Sequence, residues 1–155
     1  MFDQIMVLLD GSPAAEQALP YAEHLAAMEG GTVHLVRVFE LPAAVRSQRL
    51  GAPVNVYEQA IAAQRQEAMA YLEQARARLE GTERAVEIRL LEGDPATAVL
   101  DDARAAGIDV VVLTTHGRGG LTRWALGSVA DRIAQGNAPA VLLVRAEAAN
   151  QAGQA

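Results

Sequence analysis

The chain is predicted to be a doubly wound α/β protein built on a five-stranded, mostly parallel sheet. Three observations carry this. Short apolar stretches of strand length alternate with helical stretches along the chain, so each strand is followed by a helix that can serve as a crossover. Residues 109–113 run Asp-Val-Val-Val-Leu, an apolar strand of the kind buried on both faces of a parallel sheet. The chain has 155 residues, 51% of them hydrophobic and only 4% aromatic, which fits one domain with a core of Ala, Val, Leu and Ile. The domain is expected over residues 1–146, with 147–155 as a frayed, disordered tail.

Residues 5–9 read as the first strand, closed by the turn Asp10-Gly11-Ser12. Pro13 suits the first position of a helix, with Ser12 or Gly11 as its cap. That helix is expected to reach residue 29, with Pro20 kinking it or marking a first turn because proline removes an interior hydrogen bond. Gly30 and Gly31 end it. Residues 32–39 alternate and are β-branched enough for a second strand. Residues 40–55 hold two prolines and little periodicity, a long loop of the functional or mobile kind. Over residues 56–80 the apolar positions Tyr57, Ile61, Ala68, Leu72, Ala75 and Leu79 are spaced as one buried helix face requires. Residues 85–91 alternate again, and Asp94-Pro95 supplies an N-cap and first residue for a helix through Ala106. The fourth strand is 109–113, the last helix 128–135 and the fifth strand 140–144.

Composition removes several function classes. The absence of cysteine excludes disulfides, thiolate metal sites and cysteine nucleophiles, and three scattered histidines argue against a dedicated zinc site. No apolar run approaches the roughly 18 residues of a membrane span, and no basic-then-apolar leader opens the chain, so a cytoplasmic protein away from membranes is expected. A net charge of −6 argues against nucleic acid as a partner. Charge is nevertheless uneven. Between residues 114 and 133, Arg118, Arg123 and Arg132 face only Asp131, a local surplus of two positive charges that suits a small anion.

The same region, from Thr114 to Ser128, is glycine-rich, follows an apolar strand and leads into an amphipathic helix. A helix start offers N–H groups without internal partners and the positive end of the helix dipole, and glycine lets an anion approach both. The residues alone also fit a plainer reading, in which Gly127 breaks one element and Ser128 caps the next. Topology favours the first reading. In doubly wound sheets ligands sit beyond the carboxyl ends of the strands where strand order reverses. If the first and fourth strands flank that reversal, Asp10-Gly11-Ser12 and the glycine loop converge on one crevice. Two familiar motifs are absent: Gly117-x-Gly119 lacks the later glycine of the dinucleotide fingerprint at Thr122, and no P-loop sequence occurs.

A different pattern is present. Gly117, nine residues, then Gly127-Ser128 follow the second part of Gly-x2-Gly-x9-Gly-Ser/Thr, with Thr114 in place of the first glycine. Together with the Val-Leu-Leu-Asp-Gly-Ser start, Glu-Gly-Asp-Pro before the third helix, the Thr-His-Gly-Arg-Gly-Gly-Leu loop and the Pro-Ala-Val-Leu-Leu-Val ending, it resembles the ATP-binding subclass of the universal stress protein family over nearly the whole chain. The resemblance implies a Rossmann-like fold of the adenine nucleotide alpha hydrolase-like type. It implies a regulatory or stress-response sensor that binds ATP, or AMP or ADP, with Mg2+ or Mn2+ carried on the phosphates and no metal site of its own.

Residue by residue, the resemblance puts Asp10 at the ribose or adenine side, where a turn-forming aspartate is the alternative, and the Val38 backbone at the adenine edge. Gly117 and Gly127 would let the backbone reach the phosphates, held by the Ser128 hydroxyl and the Ser128 and Val129 N–H groups. His116, Arg118 and Arg123 lie within reach, Trp124 anchors the loop, and Thr114 adds bulk where the pattern has none. The resemblance also implies a homodimer through the fifth strand and a further, unidentified protein partner. Two other classes stay open: a slow ATPase or phosphotransferase, for which Asp10 is the only well-placed carboxylate, and a nucleotide-free interaction module. No residue is assigned a catalytic role.

Overall fold

The computed structural model describes residues 1–40, 54–79, 85–115 and 127–146. Five strands, β1 (Gln4–Leu8), β2 (Thr32–Phe39), β3 (Val86–Glu92), β4 (Val110–Thr114) and β5 (Val141–Val144), pair in the order β3-β2-β1-β4-β5. All four pairings are parallel, so the sheet is wholly and not only mostly parallel. The helices are α1 (Pro13–Glu16), α2 (Leu19–Glu29), α3 (Val54–Leu79), α4 (Pro95–Ala105) and α5 (Ser128–Gln135).

Strand alternation sorts the core into two layers. Ile5, Val7, Leu9, Val33, Leu35, Val110 and Val112 face one way, against Ala15, Leu19 and Ala22 of the α1–α2 region and Leu72, Ala75 and Leu79 of α3. Met6, Val36, Val111 and Leu113 face the other way, against Ala96, Val99 and Ala103 of α4 and Ala130 and Ile133 of α5. All five residues of β4 are buried, as an apolar strand covered on both faces must be.

The single helix expected over residues 13–29 is two pieces. Pro20 falls in the first turn of α2, where its missing N–H costs nothing. Just before it the ladder tightens, with the Gln17 and Ala18 N–H groups donating to the carbonyls of Ala14 and Ala15 at 3.2 and 3.1 Å. Gly30 ends α2 in the left-handed conformation at φ 73°.

Helix α3 is longer than the sheet is deep. Ala68, Leu72, Ala75 and Leu79 are buried, while residues 58–60 and 62–67 are exposed. Arg65 pairs with Glu92 and lies over the Phe39 ring, level with the carboxyl ends of β2 and β3. At 1.5 Å per residue the turns before Arg65 therefore extend past the strand ends by about 16 Å.

One buried polar residue, His34 at 4% exposed, sits inside the α4 layer. Its Nε2 lies 2.6 Å from Gln4 Oε1 and its Nδ1 lies 3.2 Å from Glu87 Oε2. Next to it Arg89 of β3 donates to Asp102 of α4 at 2.8 Å. Among the described residues no helix is long and apolar enough to cross a membrane. The tail, most of the 40–55 loop and residues 116–126 lie outside the described residues.

Candidate functional site

Strands β1 and β4 are neighbours, with Ile5, Met6 and Val7 opposite Val110, Val111 and Val112. The chain leaves β1 into α1 on one face of the sheet and enters α5 after β4 on the other. The order reversal therefore falls between these two strands, at whose carboxyl edge Asp10-Gly11-Ser12 and Thr115 stand among the described residues.

On the β1 side, the Leu9 N–H donates to the Val36 carbonyl at 2.8 Å and holds the strand in register up to its last residue. The chain then turns. Asp10 Oδ1 accepts the Ser12 N–H at 2.8 Å, an Asx turn, Gly11 takes φ 84°, and Ser12 Oγ accepts the Ala15 N–H at 3.1 Å as the N-cap of α1. Asp10 thus performs the turn-forming task at the carboxyl end of β1, half-buried.

The β4 side carries Thr114, the last strand residue, opposite Val144 and 7% exposed. By alternation its side chain shares the face of Val110 and Val112, toward the α1–α2 layer, whereas α5 packs on the opposite face. The bulk that replaces a glycine hydrogen is therefore on the far side of the sheet from α5. Val38 stands one position before the end of β2, opposite Leu91, and packs into the α4–α5 layer.

Helix α5 begins in a way the residues alone do not reveal. Its N-cap is Gly127, and Ser128 is the first helical residue, so the serine hydroxyl does not cap the helix. Gly127 has no side chain to accept the first N–H groups, and among the described residues no side-chain cap bond is present. The Gly127 N–H donates to the Thr115 carbonyl at 2.8 Å, which ties the helix mouth to the end of β4. A Cβ at 127 would stand 3.0 Å from that carbonyl oxygen, a tight contact that glycine relieves whether or not a ligand is present. Ser128 is exposed at the mouth and Val129 is half-buried. Six of the nine predicted site residues are thus described, and the structure brings Asp10, Thr114, Gly127, Ser128 and Val129 to the β1–β4 edge, with Val38 one strand away. His116, Gly117 and Arg118, and with them Arg123 and Trp124, lie outside the described residues.

Two features went unread in the sequence. Arg132, counted toward the basic surplus, forms a two-pronged ion pair with Asp94 at 2.8 and 2.7 Å. Asp94 also caps α4 by accepting the Thr97 N–H and hydroxyl at 3.2 and 2.7 Å. The Arg132 guanidinium and then the Thr97 donors hold the Asp94 carboxyl well below the usual carboxylate range. The Asp-Pro pair signalled the cap, but nothing local signals a partner 38 positions on. The second feature is Tyr71 of α3, beneath the Arg37 guanidinium at 5.2 Å. Burial first, and then the charges of Glu16 and Asp10, push its hydroxyl above its ordinary value. Among the described residues no group of three or more His, Asp or Glu side chains could hold a metal ion.

A parallel, doubly wound sheet whose strand order reverses between β1 and β4 defines an α/β protein of the Rossmann-like class. The comparison with known proteins is more specific: the model of the universal stress protein family matches residues 1–145, and the chain belongs to that family. It is similar to universal stress protein YxiE of Bacillus subtilis (strain 168), 27% identical over 150 residues that cover 94% of this chain and 100% of that one. A universal stress protein of Thermus aquaticus is 32% identical over 146 residues, again 94% and 100% of the two chains. Among solved structures, the hypothetical protein MJ0577 superposes with a TM-score of 0.81 at 23% identity, covering 95% of this chain and 98% of that one. A universal stress protein solved in complex with cAMP (TM-score 0.67, 20% identity, 94% and 98% covered) and a family protein from Arabidopsis thaliana with AMP bound (0.63, 16%, 95% and 94%) share the fold.

Proposed function

We propose that this member of the universal stress protein family binds an adenine nucleotide, ATP or else AMP or ADP, at the β1–β4 carboxyl edge and acts as a regulatory stress-response protein by changing its association with partners. The observation that carries the reading is the mouth of α5 beside the carboxyl end of β4, where Gly127 supplies no side-chain acceptor and none is present among the described residues. Family members of the same fold with cAMP and AMP bound support it. In this reading the Ser128 and Val129 N–H groups and the Ser128 hydroxyl hold the phosphates, and Asp10 meets the ribose or adenine side. The Val38 backbone meets the adenine edge, Gly117 lets the backbone approach the phosphates, and His116 and Arg118 are candidate contacts to them. Thr114 is compatible with this arrangement because its side chain is directed to the sheet face opposite α5. A divalent ion, Mg2+ or Mn2+, would travel on the phosphates and not on a protein site.

Calorimetric titration of the purified protein with ATP and with AMP tests the reading. Saturable heat at one nucleotide per chain is expected, and no heat with either would overturn it. We also propose a homodimer through β5, which pairs among the described residues with β4 alone and leaves Leu143 36% exposed. Light scattering at micromolar concentration should give twice the chain mass of 16.4 kDa, and the monomer mass would exclude the dimer.

A further inference from the structure

We infer that the Asp94–Arg132 ion pair positions the phosphate-binding mouth of α5, with Asp94 and Arg132 acting as positioning residues for the ligand; this rests on the nucleotide-binding reading above. Helix α5 has only eight residues, and it is held to the body from three sides. Its mouth is tied to β4 by the Gly127–Thr115 backbone bond, and its inner face is anchored by buried Ala130 and Ile133. At its far end Gly136 packs so closely on Leu100 that a Cβ there would lie 2.6 Å from Leu100 Cδ1. These contacts hold the mouth, the inner face and the far end of the helix, and the Arg132 fork adds a restraint at the α4 cap, where two N–H···O bonds to one carboxylate define a plane and not merely a distance.

The carboxylate it grips is itself rigid. Asp94 is bonded to the Thr97 N–H and hydroxyl at the start of α4, and the preceding Gly93 N–H donates to the Phe39 carbonyl at 3.1 Å. The fork thus ties α5 to the carboxyl ends of β2 and β3 through the α4 cap. Arg132 stands four residues after Ser128, one turn further along the same helix face, and helical side chains lean toward the N-terminus, so the tie acts close to the mouth. Backbone donors at a helix start hold a phosphate only when they converge on it, and a turn of the helix about its axis disperses them.

Two roles for Arg132 make opposite predictions. If it positions α5 through Asp94, breaking the pair from either end weakens phosphate binding. If it is a direct phosphate ligand that Asp94 restrains, releasing it strengthens binding. The test measures ATP and adenosine affinity of the wild type, Arg132→Ala, Asp94→Asn and the double variant; asparagine keeps an N-cap oxygen for α4 while removing the charge. Positioning predicts that each single variant loses ATP affinity about three- to fivefold, the scale of an ion pair half exposed to solvent. The double variant loses no more than the worse single one, as residues acting as a unit should. Adenosine, which has no phosphate to place, keeps its affinity in all four, a readout that general destabilisation would move. Unchanged ATP affinity in both single variants overturns the inference, and so does tighter binding in Asp94→Asn. A wild type that does not bind ATP at all instead brings down the nucleotide reading, and this inference with it.

Discussion

Asp10 does two things with one carboxylate, and substitution can separate them. It closes the turn after β1 by accepting the Ser12 N–H, and in the proposed function it also meets the nucleotide. Asp10→Ala should cost about 1–2 kcal/mol in denaturant unfolding, because the Ser12 donor loses its acceptor. Asp10→Asn keeps the turn and should unfold like wild type while weakening nucleotide binding; equal affinity in Asp10→Asn would reduce Asp10 to a turn residue. His34 gives a pH dependence. Burial, the largest influence, lowers its pKa below the ordinary 6.5, and the Arg89 charge lowers it further against the opposing pull of Glu87 and Asp102; Gln4 is its uncharged contact. The folded protein therefore resists protonation that the unfolded chain accepts. Stability is full above pH 6.5 and falls as the pH drops below it. Chemical denaturation from pH 7.5 to 5 should show this slope, and His34→Gln should flatten it; an unchanged slope in that variant would remove His34 as the cause. The turn residues were legible because Asp, Gly, Ser and Pro act on their immediate neighbours. His34 was not, since its partners come from β1 and β3, and neither was the place of Ser128, where a shift of one residue turns a cap into a first helical position.

All five strands and the helices after β2 were legible to within a residue or two, because each carries its own periodicity and stop signals. The helix over 13–29 was one element by periodicity and is two in fact: Pro20 cannot donate to the carbonyl four residues back, so the ladder breaks before it. Helix α3 shows where periodicity misleads about depth. Tyr57 and Ile61 share the spacing of Leu72 and Leu79 but are only half-buried, since they lie where the helix runs past the sheet. Helical stability in proteins comes chiefly from packing, so the two halves of α3 should differ. Amide exchange over residues 57–64 should be faster than over 68–79 by orders of magnitude; equal protection along the helix would mean that its outer turns are packed against something.

As a whole the molecule is a parallel sheet whose order reverses once, and the reversal sets the carboxyl ends of β1 and β4 side by side. The class of fold was legible because apolar strands alternating with helices leave few ways to cover both faces, and the crevice followed from it once β1 and β4 proved to be neighbours. What the sequence could not convey was the state of the α5 mouth and the Asp94–Arg132 tie beside it, both products of packing between distant segments. If the account is right, the Ser128 and Val129 amides are phosphate donors. Amide resonances of the protein titrated in parallel with ATP and with adenosine should show large shifts at 128 and 129 with ATP alone. Resonances at those two positions that stay fixed while ATP saturates the protein would place the phosphates elsewhere and contradict it.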